Sequence, residues 1–310
     1  MCLLLGVLPK HSRNDALDKL RKKFGEKKLG LPRGFIYKVI KKEDVFDAGA
    51  YLESLAPEIR DVMRRVLIFG GVPEKESDVK SLWKLPKLGD DLKTLDTDLK
   101  KRVEEEYGKL ISEGKWILLT KGSSQEWLYW KPDESYIDWS RKSVKWLFEN
   151  SGKKGTAMPV IRNPDYYFRE GFFAAGMGNV LPVLVHILPS ILDHSGYGLF
   201  PHLVIEEKLT AKYLMGIGNS SVAKEILIEF INHTVNTELN DLRLLPIVIP
   251  AETQRKEIEA LVDEAIEIQK KRYASEKEEE KSQLWKELQE VQERINEKVE
   301  EVYRNFLEAS

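Results

Sequence analysis

The chain has 310 residues, a length that allows two domains or one domain with a helical appendage. Apolar residues make up 42% and charged residues 32%, and the mean hydropathy is -0.39, which excludes a protein that lies mostly in lipid. The longest apolar run, residues 180–192, contains two prolines and a histidine and predicts no transmembrane helix. The single cysteine and the absence of a basic leader predict a cytoplasmic protein without disulfides or cysteine-based zinc.

Charge is distributed unevenly along the chain, although the formal net charge is only -2. Residues 1–47 carry about 12 basic and 6 acidic side chains, whereas residues 251–310 carry about 11 basic and 17 acidic ones. Between Arg141 and Arg169, about seven basic residues stand against two acidic ones. Because Lys and Arg neutralise phosphates, a polyanion site is expected in this basic segment or in the amino-terminal block.

Residues 1–112 are predicted to form a basic, mainly helical region. Leu17, Leu20 and Phe24 recur at helical spacing after a capping residue, whereas the segment from Phe35 is β-branched and aromatic. The predicted elements in chain order are a helix over 14–26, a strand over 35–40, a helix over 48–67, an irregular connector over 73–97 and a helix over 98–112.

Residues 113–250 are predicted to form a mixed-sheet domain, which begins where five of the seven tryptophans fall within about 31 residues. Turn dipeptides separate short β-branched and aromatic runs, and the period becomes helical between residues 209 and 235 with a break at Gly216-Ile217-Gly218-Asn219-Ser220. The predicted strands are 116–120, 127–130, 158–161, 166–169, 172–173 and 180–188.

Residues 251–310 are predicted to form a helical hairpin that resembles a coiled coil. The first helix covers 252–271 and the second begins at Ser275, and the link between them is short, which favours an antiparallel hairpin over a kinked continuation. Apolar residues alternate spacings of three and four along the second helix, as a helix–helix seam requires. They are Leu288, Val291, Ile295, Val299, Val302 and Phe306, and the first five are predicted to dock a partner. The predicted fold class is therefore α+β.

Catalytic patterns are incomplete. Asn163-Pro164-Asp165-Tyr166 is one residue from the Asn-Pro-Pro-Tyr loop of amino-methyltransferases, and Gly176-Met177-Gly178 is similar to a cofactor-binding turn. Only about ten residues separate the two, too few for the elements between such loops in a nucleotide-binding sheet. Three histidines at a spacing of eight residues are more simply explained as structural than as metal ligands. No catalytic, cofactor or metal site is predicted in this chain.

Basic and aromatic residues alternate through the middle of the chain, a pattern typical of nucleic-acid binding. Lysines can neutralise phosphates, and arginines at loop tips can read base edges. The same composition would arise if the aromatic residues only formed the core and the lysines and arginines were a solvated rim around it. The predicted DNA-binding residues are Lys121, Arg141, Lys142, Lys145, Lys153, Lys154, Arg162 and Arg169.

Two segments carry a resemblance to a known family. The first contains Gly216-Ile217-Gly218-Asn219-Ser220 and, further along the chain, Leu244-Leu245-Pro246-Ile247-Val248-Ile249-Pro250. The second is Arg162-Asn163-Pro164-Asp165-Tyr166-Tyr167-Phe168. Together they resemble the target recognition domains of restriction-modification specificity subunits, fused type IIG restriction-methyltransferases and BREX phage-exclusion methyltransferases. The resemblance covers roughly residues 115–308. It departs at Phe172-Phe173-Ala174, where the family usually has Ile-Thr-Trp.

The resemblance implies a module that recognises a sequence in double-stranded DNA and presents it to a separate methyltransferase or restriction subunit, which would bind S-adenosylmethionine. A homodimer through the carboxyl-terminal helices is a further expectation. Two alternatives stay open: an adenine methyltransferase with degenerate motifs, and a coiled-coil adaptor that binds protein. The expectation is that this chain is no enzyme and spans no membrane.

Overall fold

The structure is a computed structural model, and it describes residues 4–8, 36–85, 87–88, 92, 94–121, 128–132, 135–154, 159–175, 183–193, 196–201, 208–231 and 239–309. Helices and two small sheets make this an α+β chain, as predicted. Within these ranges no helix has both the length and the apolar character needed to cross a membrane. The predicted helix over 14–26 lies outside the described residues.

Two compact units share the chain, and they do not follow the predicted boundaries. Unit 1 comprises residues 1–120, 133–169 and 189–191, and unit 2 comprises 121–132, 170–188 and 192–310. The prediction placed 113–250 in one domain, whereas the basic segment packs with the amino-terminal residues instead. A chain that passes repeatedly between units leaves no composition shift at a single boundary, so local sequence could not locate this division.

A mixed sheet of five strands belongs to unit 1, except for Leu192, the final residue of its last strand in the chain. In chain order these are β1 (Leu4–Leu8), β2 (Ile36–Ile40), β3 (Trp116–Thr120), β4 (Ser135–Asp138) and β7 (Ile191–Leu192), and their spatial order is β2-β1-β4-β3-β7. Strand β1 pairs antiparallel with β2 and parallel with β4, while β3 and β4 are antiparallel. The predicted strands 35–40 and 116–120 are confirmed.

Helices of unit 1 pack around a core that includes Met63, Val66 and Leu67, all with no exposed surface. They are α1 (Ala48–Ser54), α2 (Pro57–Gly70), α3 (Glu76–Lys80), α4 (Thr97–Lys109) and α5 (Arg141–Asn150). The single helix predicted over 48–67 is wrong, because Pro57 opens α2 and forces extended backbone just before it. The connector over 73–97 also contains α3 and a short 3-10 turn.

Unit 2 is built on an antiparallel sheet with the order β6-β5-β8. Its strands are β5 (Gly171–Ala175), β6 (Leu184–Ile187) and β8 (Gly196–Leu199). Two short helices follow, α6 (Ala211–Asn219) and α7 (Ser221–Ile226), then a π-helical turn (Leu227–Ile231) and α8 (Leu239–Leu242). Ser220 separates α6 from α7 because its hydroxyl accepts from Ala223 N and caps the second helix. Of the break predicted over 216–220, only Ser220 interrupts the helices, because α6 continues to Asn219.

A long helix pair completes unit 2: α9 (Glu252–Ala274) and α10 (Glu278–Ala309). Ion pairs join Glu257 to Lys298 at 2.7 Å and Glu264 to Arg294 at 3.1 Å, so residue numbers rise on one helix as they fall on the other. The predicted antiparallel hairpin is therefore confirmed. Phe306, predicted as the last seam residue, is 54% exposed, because α9 begins too late to cover it.

Candidate nucleic-acid interface

Helix α5 presents a basic face to solvent. Ser140 caps it by accepting a hydrogen bond from Ser143 N, and Val144 and Leu147 are buried. Lys142 and Lys145 lie on the opposite, exposed side. The helix is therefore amphipathic. Lys145 lies 3.9 Å from the exposed Glu149, and both lysines stay accessible to a partner such as a phosphate chain.

The loop after α5 continues this basic surface. Gly152 N donates to Pro159 O at 3.0 Å, and Ile161 N donates to the Ser151 hydroxyl at 3.0 Å, so the two ends of the loop are held together. Lys153 and Lys154 on one side of this closure are exposed, as is Arg162 just beyond the other side. The predicted strand over 158–161 is wrong for its described residues, because these bonds close a loop instead of pairing strands.

Residues 163–168 form a tight turn, not the strand predicted over 166–169. Pro164–Tyr166 is a 3-10 turn, and Asn163 before it has left-handed backbone (φ 45°). Phe168 is also left-handed, with φ 60°. Such a conformation costs a bulky residue on the order of 1–3 kcal/mol and persists only where the surroundings enforce it.

Aromatic packing supplies that enforcement. The rings of Tyr167 and Phe168 are buried and meet Trp139 nearly edge-on, at centroid distances of 6.1 and 6.2 Å. Burial also raises the pKa of Tyr167 to about 12. Trp139 is itself fixed by a hydrogen bond from its Nε1 to Leu67 O at 2.8 Å, and Phe168 N donates to Ser190 O at 3.1 Å.

Two arginines converge on this turn. Arg64, from α2, donates from Nη1 to Asp165 O at 2.5 Å, and the Arg169 guanidinium lies 5.8 Å from the centre of the Tyr166 ring. Burial lowers the pKa of Arg64, and the charge of Arg169 acts in the same direction, although Asp61 opposes both. A guanidinium nevertheless stays protonated, and Arg64 also lies 3.5 Å from the Asp61 carboxylate, so the turn carries charges of both signs.

The eight residues predicted to bind DNA do not share one role. Five are exposed in unit 1: Lys142, Lys145, Lys153, Lys154 and Arg162. Arg141 is half-buried and its Nη1 donates to Gly70 O at 3.4 Å, which ties it to the end of α2. Arg169 is half-buried beside Tyr166, and Lys121 belongs to unit 2. Sequence reasoning missed Arg64, because the residue it contacts lies 101 positions away.

The five seam residues predicted to dock a partner are corrected here. Each is at most 3% exposed and belongs to the core of unit 2, together with Ile258 and Val262 of α9 and Met215 of α6. Their side chains hold the hairpin to the unit and form no exposed docking surface. They are Leu288, Val291, Ile295, Val299 and Val302.

A buried polar network crosses that core. The Tyr129 hydroxyl donates to Gln292 Oε1 at 2.7 Å, and Gln292 Nε2 donates to Asn219 O and to Asn296 Oδ1. The Asn219 side chain in turn makes two 2.9 Å bonds to the backbone of Leu184. Burial raises the pKa of Tyr129 well above its usual range, so its hydroxyl is a permanent donor. The motif Asn219-Ser220 thus joins the sheet, α6 and α10.

Among the described residues, no group of three or more His, Cys, Asp or Glu is placed to hold a metal ion. Of the three evenly spaced histidines, His186 contacts Glu170 at 2.6 Å, and the other two lie outside the described residues. The hydrogen bond from His186 lowers the pKa of Glu170. The glycine-rich segment 176–178 also lies outside them.

No protein family model matches the chain, and no curated protein is significantly similar to it.

Proposed function

We propose that this chain is a DNA recognition module of a restriction-modification or phage-exclusion system. In this proposal it binds a sequence in double-stranded DNA and presents it to a separate methyltransferase or nuclease subunit. The observation that carries the proposal is the row of exposed cations on α5 and its loop, which continues along the chain to the exposed Arg162.

Charge is the first line of support. Exposed lysines on a capped helix and a closed loop can follow a phosphate backbone, and each phosphate that they neutralise releases a counterion from DNA. Arginines on a rigid turn supply planar donors suited to base edges. The surface thus combines positioning contacts with groups capable of reading bases, the two components of specific binding.

The proposal assigns no chemistry to this chain and places S-adenosylmethionine on its partner. Methyl transfer requires a base-gripping loop, and Asp165 stands where the proline of that loop would shape the backbone. In addition, the Asp165 carbonyl accepts from Arg64. Incubation with labelled S-adenosylmethionine and mixed-sequence DNA should give no labelled DNA from the chain alone. Label that appears without a partner and vanishes in Asp165→Ala would favour a methyltransferase.

Salt-dependent DNA binding tests the proposed interface. Binding to a duplex should weaken as salt increases, and the slope of log K against log salt should become less steep by roughly 0.9 for each phosphate that the protein no longer neutralises. The test variant replaces four exposed lysines by alanine: Lys142, Lys145, Lys153 and Lys154.

A matched control carries the same change in charge on the helical hairpin. It replaces Lys256, Lys270, Lys271 and Lys286, which are also exposed. The proposal expects a less steep salt slope only for the first variant. Equal effects of the two variants, or binding that does not depend on salt, would contradict it and would favour an adaptor that binds protein.

A further inference from the structure

We infer that the turn of residues 163–169 is a stacking platform on which Tyr166 receives one unpaired nucleobase while the neighbouring arginines hold its phosphates. The inference rests on the proposed function and deepens it, because it separates the group that contacts a base from the lysines that follow the backbone. The ligand it assigns is an unstacked nucleotide in DNA.

The first step is the exposure of the ring. Tyr166 is 44% exposed, while the next two aromatic residues, Tyr167 and Phe168, are both 4% exposed. The three consecutive aromatic side chains therefore differ in exposure: two are buried in unit 1, and one is partly exposed to solvent. An exposed tyrosine alone would mean little, but this one sits on anchored backbone.

The second step is the rigidity of that backbone. Left-handed residues, Asn163 and Phe168, flank the turn on either side. Its conformation is fixed from outside by Arg64, whose Nη1 donates to Asp165 O, and by Ser190, whose carbonyl accepts from Phe168 N. A platform held in this way loses little conformational entropy when a ligand binds.

The third step is the chemistry of the ligand. The guanidinium of Arg169 lies 5.8 Å from the ring centre, and exposed Arg162 immediately precedes the turn. Arg64 is already engaged by Asp165 O and by Asp61 Oδ1, so it holds the turn and is not counted as a phosphate ligand. A flat aromatic face beside these two cations, Arg162 and Arg169, matches a nucleotide, which carries a π-face and a phosphate within one unit. A paired base offers only its edge in a groove, whereas an unstacked base offers its face.

With a methyltransferase as the partner, the proposed function also requires such a base. Enzymes that modify a base in a duplex take it out of the stack, which leaves an unstacked target and an unpaired opposite base. A recognition module that presents DNA to a methyltransferase can stabilise this state by stacking on either base. Stacking on an aromatic side chain changes affinity by about 5- to 150-fold per base.

The experiment compares two duplexes of the same sequence, one fully paired and one with a single unpaired 2-aminopurine. The wild-type chain should bind the second duplex about 5- to 150-fold more tightly and quench its fluorescence. Tyr166→Ala should lose both the preference and the quenching but keep its affinity for the paired duplex, and Tyr166→Phe should keep all three properties. Circular dichroism checks that each variant is folded.

Tyr273→Ala is the matched control, because this tyrosine is 42% exposed on α9 in unit 2. It should behave as wild type. A chain that binds the paired duplex with no preference for the unpaired base, or a preference that survives Tyr166→Ala, overturns the inference and leaves the proposed function intact. Failure to bind either duplex refutes the proposed function itself.

Discussion

Replacing Gln292 by Met should destabilise unit 2 by leaving polar groups unpaired in its core. The Tyr129 hydroxyl is fully buried, and its hydrogen bond in the structure goes to Gln292 Oε1 at 2.7 Å. Methionine has nearly the volume of glutamine but provides no comparable acceptor. The change therefore removes the hydrogen bond while largely keeping the packing.

The expected magnitude follows from what the substitution leaves behind. An unsatisfied buried hydroxyl costs about 1–3 kcal/mol, and Asn219 O also loses its 3.3 Å bond from Gln292. Tyr129→Phe alone leaves Gln292 Oε1 without its donor, for a decrease in stability of about 1–2 kcal/mol. The double variant contains neither the Tyr129 hydroxyl nor Gln292 Oε1, so neither is left unpaired. The loss of stability in the double variant should therefore be about 1 kcal/mol smaller than the sum of the losses in the two single variants.

Urea unfolding of the wild type, the two single variants and the double variant measures this coupling. Far-ultraviolet circular dichroism is a suitable signal, because α9 and α10 contain 23 and 32 helical residues. Single variants as stable as the wild type, or decreases that simply add in the double variant, would show that the hydrogen bond does not join α10 to the rest of unit 2.

Three further variants test other parts of the structure. Val291→Asp with Ile295→Asp places unpaired charge in the hairpin core and should melt it, with a loss of several kcal/mol and of helical circular dichroism. Glu170→Gln tests the His186 hydrogen bond that lowers the pKa of Glu170. A lowered folded-state pKa adds stability above the unfolded value of about 4.3, so the difference from wild type in urea unfolding should shrink as pH falls below it. Gly71→Ala should destabilise unit 1 by about 1–3 kcal/mol in thermal unfolding, because φ is 67° and a Cβ would lie 2.7 Å from a backbone carbonyl.

Local periodicity accounts for what could be predicted of the fold. The hairpin was predicted because spacings of three and four from Leu288 to Val302 depend only on neighbouring residues, and the structure buries those side chains. The pattern could not show what covers the seam. In the structure, α9 and other residues of unit 2 cover the seam, so the side chains predicted to dock a partner are part of the chain's own core.

Long-range packing explains what the sequence did not reveal. Tyr166, Tyr167 and Phe168 have the composition of a strand, but their conformation depends on Trp139 and on Arg64 of a distant helix. The lysines of the candidate site were identified from composition alone. Their separation into exposed cations and a structural Arg141 required the contact of that side chain with the end of α2.

Selection from a pool of random-sequence duplexes tests the central claim most directly. The purified chain should retain duplexes that share one motif and bind it about 10³-fold or more tightly than unrelated DNA at physiological salt, as specific DNA-binding proteins do. Duplexes retained without any shared motif, or no retention at all, would contradict the claim that this chain recognises a DNA sequence.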